Sequence, residues 1–296
     1  MENPVSTTSP ESTATGSPPG PATTHPPEER LGTLSFHVDG AICRVNCEYC
    51  YLGARPGPRS GARMLDPVLI EELIAKLPYK EVAVSLSEPA EMWANGIRTV
   101  IRAARNRGKP VAVTTTLAVA RNHTGMLSEA TRVNLSIDPA KGPVNVRVVA
   151  AVAKDLNLPT REVSLIVTLA SPPFCDQLAA GMLQQFLELP TVDAVALNGI
   201  KPPPPWCDRN YWLGFLARIK PLVDQYLDRR LFSDCYVHAR ILGLGPCPAR
   251  PDISPGAEFR SCVYQKMPDF EFTAPEEIIA RTENYLPPAV CPFKIV

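Results

Sequence analysis

The sequence predicts an α/β fold: a partial (βα)6 TIM-like barrel with a small C-terminal extension. Three observations carry this reading. Short β-rich runs alternate with segments of helical period from about Leu31 to Lys201, which implies parallel strands joined by crossover helices. Six such units are visible rather than eight, so an open barrel fits better than a closed one. The runs are mostly apolar with little polar alternation, as expected of strands covered on both faces.

The elements follow in chain order. Residues 1–31 are rich in Pro, Ser, Thr and Gly and nearly lack large apolar side chains, so they are expected to be a disordered tail. The first strand is expected over Thr33–Val38. "LDPVLIEELIAKL" then places Asp66 before Pro67, a capping residue followed by a proline in the first helical turn. Glu81–Ser87 is the second strand. In "WANGIRTVIRAARNRG" the residues Ile97, Val100, Ile101 and Ala104 share one helical face, and Gly108 suits the end of that helix. Strands are expected at Pro110–Leu117, Arg132–Asp138, Glu162–Ala170 and Asp193–Ile200. Helical segments follow at "VNVRVVAAVAKDLNLP", "FCDQLAAGMLQQFLELP" and "YWLGFLARIKPLVDQYL", the last broken or kinked at Pro221. Residues 32–229 form the expected barrel, and 230–296, punctuated by "GPCPARPDISPG", the extension packed on it.

Lysine plus arginine equals aspartate plus glutamate, 30 against 30, so no polyanionic partner such as nucleic acid is expected. No apolar run approaches the roughly 20 residues that span a bilayer, and the first residues lack a basic start followed by an apolar stretch. A cytoplasmic protein with no membrane partner is expected, its nine cysteines reduced and either buried or metal-binding.

In such barrels chemistry collects at the C-terminal ends of the strands. Here those ends read "HVDGAIC", "SLSEP", "TTTL", "SIDP", "TLASP" and "NGIKP", rich in Ser, Thr and Asp. The first leads into "AICRVNCEYCYLGAR", where Cys43, Cys47 and Cys50 fall within eight residues. Thiolates are soft ligands for zinc, copper(I) or iron–sulfur clusters. Structural zinc requires four protein ligands, and no Cys or His follows at finger-like spacing, although His37 is a candidate fourth donor. A redox dithiol leaves Cys43 unexplained. Three cysteines on one loop suit a [4Fe–4S] cluster in which one iron lacks a protein ligand.

Cys43-x3-Cys47-x-Tyr49-Cys50 resembles the CxxxCxΦC signature of the radical S-adenosylmethionine (SAM) superfamily. The resemblance implies that SAM chelates the open iron. It also implies that the reduced cluster cleaves SAM to a 5′-deoxyadenosyl radical, which abstracts a substrate hydrogen. Tyr49 would lie near the adenine. "SLSEP" resembles the family's GGEP motif at the end of the second strand, with Glu88 and Pro89 retained and Leu86 and Ser87 in place of the two glycines. Glu88, a carboxylate facing the SAM ammonium, is then a cofactor-binding residue. Ser87, Ser136, Thr115 and Asp138 are further candidate contacts implied by the family's polar strand ends. The family also implies a peptide or small-molecule substrate in a cofactor or natural-product pathway, and a reductase or a flavodoxin- or ferredoxin-type electron donor.

Cys235, Cys247, Cys262 and Cys291 lie in the extension. This region resembles the auxiliary-cluster segments, called twitch or SPASM-type, that follow some radical SAM barrels. That implies a second iron–sulfur cluster; burial as ordinary core cysteines is the other reading, and both stand at this level. Cys175 and Cys207 read as structural. The alternative function is a non-catalytic iron–sulfur or zinc-binding protein.

Overall fold

The computed structural model describes residues 33–37, 47, 66–77, 79–85, 90–200, 206, 209–227, 229–233, 252–254, 258–260, 270–271, 274, 276–277 and 280. Strand β1 (Thr33–His37) is followed by helix α1 (Pro67–Lys76), β2 (Glu81–Ser85), α2 (Ala90–Asn106) and β3 (Val111–Thr116). Two short helices, α3 (Leu117–Asn122) and α4 (Thr124–Leu127), lead to β4 (Arg132–Ile137). A 3-10 turn (Pro139–Lys141), α5 (Val146–Leu156) and β5 (Glu162–Thr168) come next. Two helices follow, α6 (Pro172–Gln177) and α7 (Leu183–Glu188), separated by a kink over Leu178–Met182 where Gly181 leaves the helical backbone region. Then come β6 (Ala194–Asn198), α8 (Arg209–Arg218), α9 (Lys220–Tyr226) and β7 (Leu231–Ser233). Short strands β8 (Asp252–Ser254), β9 (Glu258–Arg260) and β10 (Phe270–Glu271) complete the described chain.

One sheet unites all the strands in the order β10-β9-β8-β1-β2-β3-β4-β5-β6-β7. From β8 to β7 every pairing is parallel, while β9 and β10 fold back antiparallel. The parallel strands curl with helices on one side, an α/β partial barrel of the expected TIM-like kind. All six expected strands form. Strand β7 adds a seventh parallel strand, and β8 extends the sheet beyond β1. Both belong to the expected extension, yet they continue the barrel sheet on its two sides.

The expected helix signals act as physical chemistry requires. The Val68 N–H donates to the Asp66 carboxylate at 2.9 Å, and Pro67 opens α1. Gly108 closes α2 with φ of 64°. The segment containing Pro221 divides at Ile219, so α8 and α9 are separate helices.

Strand residues on both faces are largely buried or half-buried, as expected, but the two faces differ in chemistry. Register and burial split the sheet into two unlike faces. On the helix-covered face, Phe36, Val84, Val113, Leu135, Leu165 and Val195 are at most 1% exposed and belong to the continuous core. Each such side chain contributes about 1.5–3 kcal/mol on burial, so the stability of the fold resides on this face. The other, concave face carries Ser35, Ala83, Thr114, Asn134, Ser164 and Ala196, which are small or polar. The strands read as apolar because alanine and threonine are common to lumen-facing and buried positions.

At the N-terminal ends of the strands, cations secure the ends of the preceding helices. Lys109 Nζ donates to the Ile74 and Leu77 carbonyls at the end of α1, at 3.0 and 2.7 Å. Buried Arg161 donates to the carbonyls of Ser128, Ala130 and Leu156. Arg230 does the same for Leu189 and Val192. Helix C-termini leave carbonyls without intrahelical partners and carry partial negative charge, so a cation answers both needs. On the concave side of the same end, Arg132 links Glu81 (3.0 Å) and Glu162 (2.8 Å), and the Thr33 hydroxyl donates to Glu81. Arg132 reaches Glu81 across β3, where its register partner is Ala112. Among the described residues, no helix is long and apolar enough to cross a membrane.

Candidate functional site

The C-terminal rim of the concave face is the candidate site. Parallel register brings Ser85 beside Thr114, Thr116 beside Ser136, and Thr168 beside Asn198. Residues two apart on a strand share a face, so Thr114 and Thr116 lie on the same side as Ser136, and Asp138 is one step further along. Thr116, Ser136, Asp138 and Thr168 are all buried, a concentration of polar groups that the described helix-covered face lacks.

Two of these side chains close the backbone that follows them. Thr116 Oγ1 accepts from the Val119 N–H at 3.2 Å and caps α3. Asp138 Oδ1 accepts from the Ala140 N–H at 2.9 Å and caps the 3-10 turn. That turn returns Lys141 to the rim, where its ammonium donates to Ser136 Oγ at 2.7 Å. Lys141 was not legible as a site residue, because one lysine after "DPA" carries no spacing signal. The three-residue turn capped by Asp138 is what brings it back over β4. One row below, Asn134 Nδ2 donates to Thr114 Oγ1 at 3.2 Å, tying β4 to β3 beneath the rim.

The expected site residues divide into three groups. Ser136 and Asp138 lie on the rim. Thr115 does not share their face: it lies on the same side as Val113 and pairs with Leu135, both core residues, and its buried hydroxyl meets no hydrogen-bond partner among the described residues. The strand's parity carries this signal, since Val113 in the core requires Thr115 to follow it there. Of the cysteine motif, Cys47 is described and half-buried. Cys43, Tyr49, Cys50, Ser87, Glu88, Cys207, Cys235, Cys247, Cys262 and Cys291 lie outside the described residues.

Cys175, expected to be structural, sits on α6 with no exposure. Burial pushes its thiol pKa up, and the Tyr211 hydroxyl opposes this only in part. The buried Tyr211 phenol is raised as well, first by desolvation and then by Cys175. Neither group is poised as a nucleophile, which needs a thiolate at neutral pH.

The fold of this chain is similar to that of SuiB from Streptococcus suis, solved bound to S-adenosylmethionine. The TM-score is 0.55 at 12% sequence identity, over 79% of this chain and 59% of SuiB. This chain therefore spans less than two thirds of that protein. At such identity the likeness shows the fold, the curled parallel half-barrel with its helices. A structure from Pseudomonas aeruginosa, provisionally named a dihydrodipicolinate synthetase, matches at a TM-score of 0.40 and 15% identity, over 72% of this chain and 68% of that one. No protein-family model matches the chain, and no curated protein matches its sequence.

Proposed function

We propose that this chain is a radical SAM enzyme, with Cys43, Cys47 and Cys50 as ligands of a [4Fe–4S] cluster whose fourth iron takes SAM. The observation that carries the reading is a conjunction. The CxxxCxΦC spacing follows β1 of a partial parallel barrel, and the concave face beside it is small and polar at its C-terminal rim. The fold shared with a protein solved with SAM bound supports the same reading.

The residues present fit the cofactor. Ser35, Ala83 and Thr114 put small side chains on the concave face of β1 to β3. Lys141 is held at Ser136 and has further N–H donors beyond the one in that bond. The carboxylate is the anionic group of SAM, so Lys141 is its proposed partner, with Ser136 fixing the ammonium and Glu88 meeting the SAM amine. Thr114 and Thr116, rather than Thr115, are the β3 residues on the cofactor's side. Asp138 acts through the turn that positions Lys141. Tyr49 and Ser87 are proposed to flank SAM. When bound, the reduced cluster and SAM supply the 5′-deoxyadenosyl radical that takes a hydrogen atom from the substrate. The protein's part is to orient both molecules and exclude water. The electron comes from a separate reductase or a flavodoxin- or ferredoxin-type donor, and the substrate is a peptide or small molecule. A second cluster at Cys235, Cys247, Cys262 and Cys291 belongs to this reading as its least constrained part.

Anaerobic reconstitution with iron and sulfide tests the ligand assignment. Replacing any one of Cys43, Cys47 or Cys50 by Ala is expected to lower bound iron by about four atoms per chain, whatever the C-terminal cysteines hold. Stoichiometric zinc in the purified protein, with iron unaffected by the three substitutions, would instead favour a zinc-binding protein.

A further inference from the structure

The concave face is not uniform along its width. On β1–β4 its described side chains are polar or alanine, but on β5–β7 one register row reads Ile166, Ala196, Phe232. Phe232 is 38% exposed and Ile166 and Ala196 are half-buried, whereas their helix-side neighbours Leu165, Val195 and Leu231 are at most 1% exposed. An alanine between two large apolar residues makes a notch. Two strand spacings separate its walls, roughly 10 Å. That width admits one ring or one branched aliphatic chain. A charged group seated there would lose hydration with no counter-charge in the row. The next row towards the rim is Thr168 beside Asn198, which gives the notch a polar edge.

We infer that this notch, floored by Ala196 and walled by Ile166 and Phe232, holds an apolar side chain of the substrate, such as that of a phenylalanine or leucine residue in a peptide. The inference rests on the radical SAM reading, which puts SAM over β1–β4. The notch row continues the row of Ser136, one strand beyond it, so a side chain seated here lies next to the cofactor half of the same face. The Thr168–Asn198 edge suits the peptide amides that flank such a side chain.

The test uses N-acetyl-L-phenylalanine amide, N-acetyl-L-leucine amide and N-acetylglycine amide as probes. Their binding to the full, anaerobically reconstituted chain, with and without SAM, is measured by saturation-transfer NMR and calorimetry. Both apolar amides are expected to bind at least about fivefold more tightly than the glycine amide. Ala196→Leu, which fills the notch, and Phe232→Ala, which removes a wall, should each erase that preference while SAM binding stays within about twofold of the unsubstituted chain. Equal binding of the three amides, or a preference that survives both substitutions, would overturn the inference. Failure of the unsubstituted chain to bind SAM would sink the radical SAM reading separately, because the amide preference is read with and without SAM.

Discussion

At the scale of single residues, neighbouring threonines on β3 have opposite roles. Thr115 faces the core with a hydroxyl that has no partner among the described residues, and an unpaired buried polar group costs about 1–3 kcal/mol. Thr115→Val removes that group at nearly constant shape, so urea unfolding should show equal or greater stability with SAM affinity unchanged. Lys141 predicts the reverse. Losing a charge-assisted hydrogen bond of about 1.5 kcal/mol should raise the KM for SAM roughly tenfold in Lys141→Met. Lys141→Arg should recover part of the loss, and kcat and unfolding should change little. A SAM KM that responds to Thr115→Val but not to Lys141→Met would reverse the two assignments. The cysteine motif stands out in the sequence because metal chemistry favours such spacing, and its role belongs to the proposal. Lys141 does not stand out, because its place is set by a turn and not by a repeat. Strand parity puts Thr115 on the core face with Val113.

At the scale of elements, the long signals were legible and the short ones were not. Six strands of five to seven residues with apolar cores announce themselves, as does a helix opened by Asp66 and Pro67. Strand β7 has three residues, and β8 to β10 have no more. Windows that short carry no readable period, and only pairing makes them strands: β7 with β6, β8 with β1, and β9 and β10 in turn with β8 and β9. The kink over Leu178–Met182, between α6 and α7, is another feature of this kind. Gly181 sits in it with φ of 127°, where L side chains are rarely found, although a Cβ there would meet nothing within 4 Å. Sterics with neighbours are therefore not the constraint; the backbone is. Gly181→Ala should destabilise the fold by about 1–3 kcal/mol, read as a lower urea midpoint at unchanged m-value. A neutral outcome would mean that the kink regularises without loss.

At the scale of the whole molecule, the two ends of the barrel do different work. At the N-terminal ends of the strands, Lys109, Arg161 and Arg230 hold helix ends by their carbonyls, and Arg132 links two carboxylates across the sheet. At the C-terminal ends, buried polar groups and Lys141 gather on the concave face. Separating stability from chemistry in this way lets one face vary its loops while the other keeps the fold. The barrel class was legible because strand–helix alternation leaves few topologies. The polarity of the lumen was not, because small residues suit both a packed layer and an open one. The central claim is that this rim holds SAM for reductive cleavage. The reconstituted protein, reduced with dithionite under anaerobic conditions and supplied with SAM, should release 5′-deoxyadenosine over many minutes, and Cys47→Ala should not. No 5′-deoxyadenosine above the level of the Cys47→Ala variant, from protein that holds its full complement of iron and sulfide, would contradict the account.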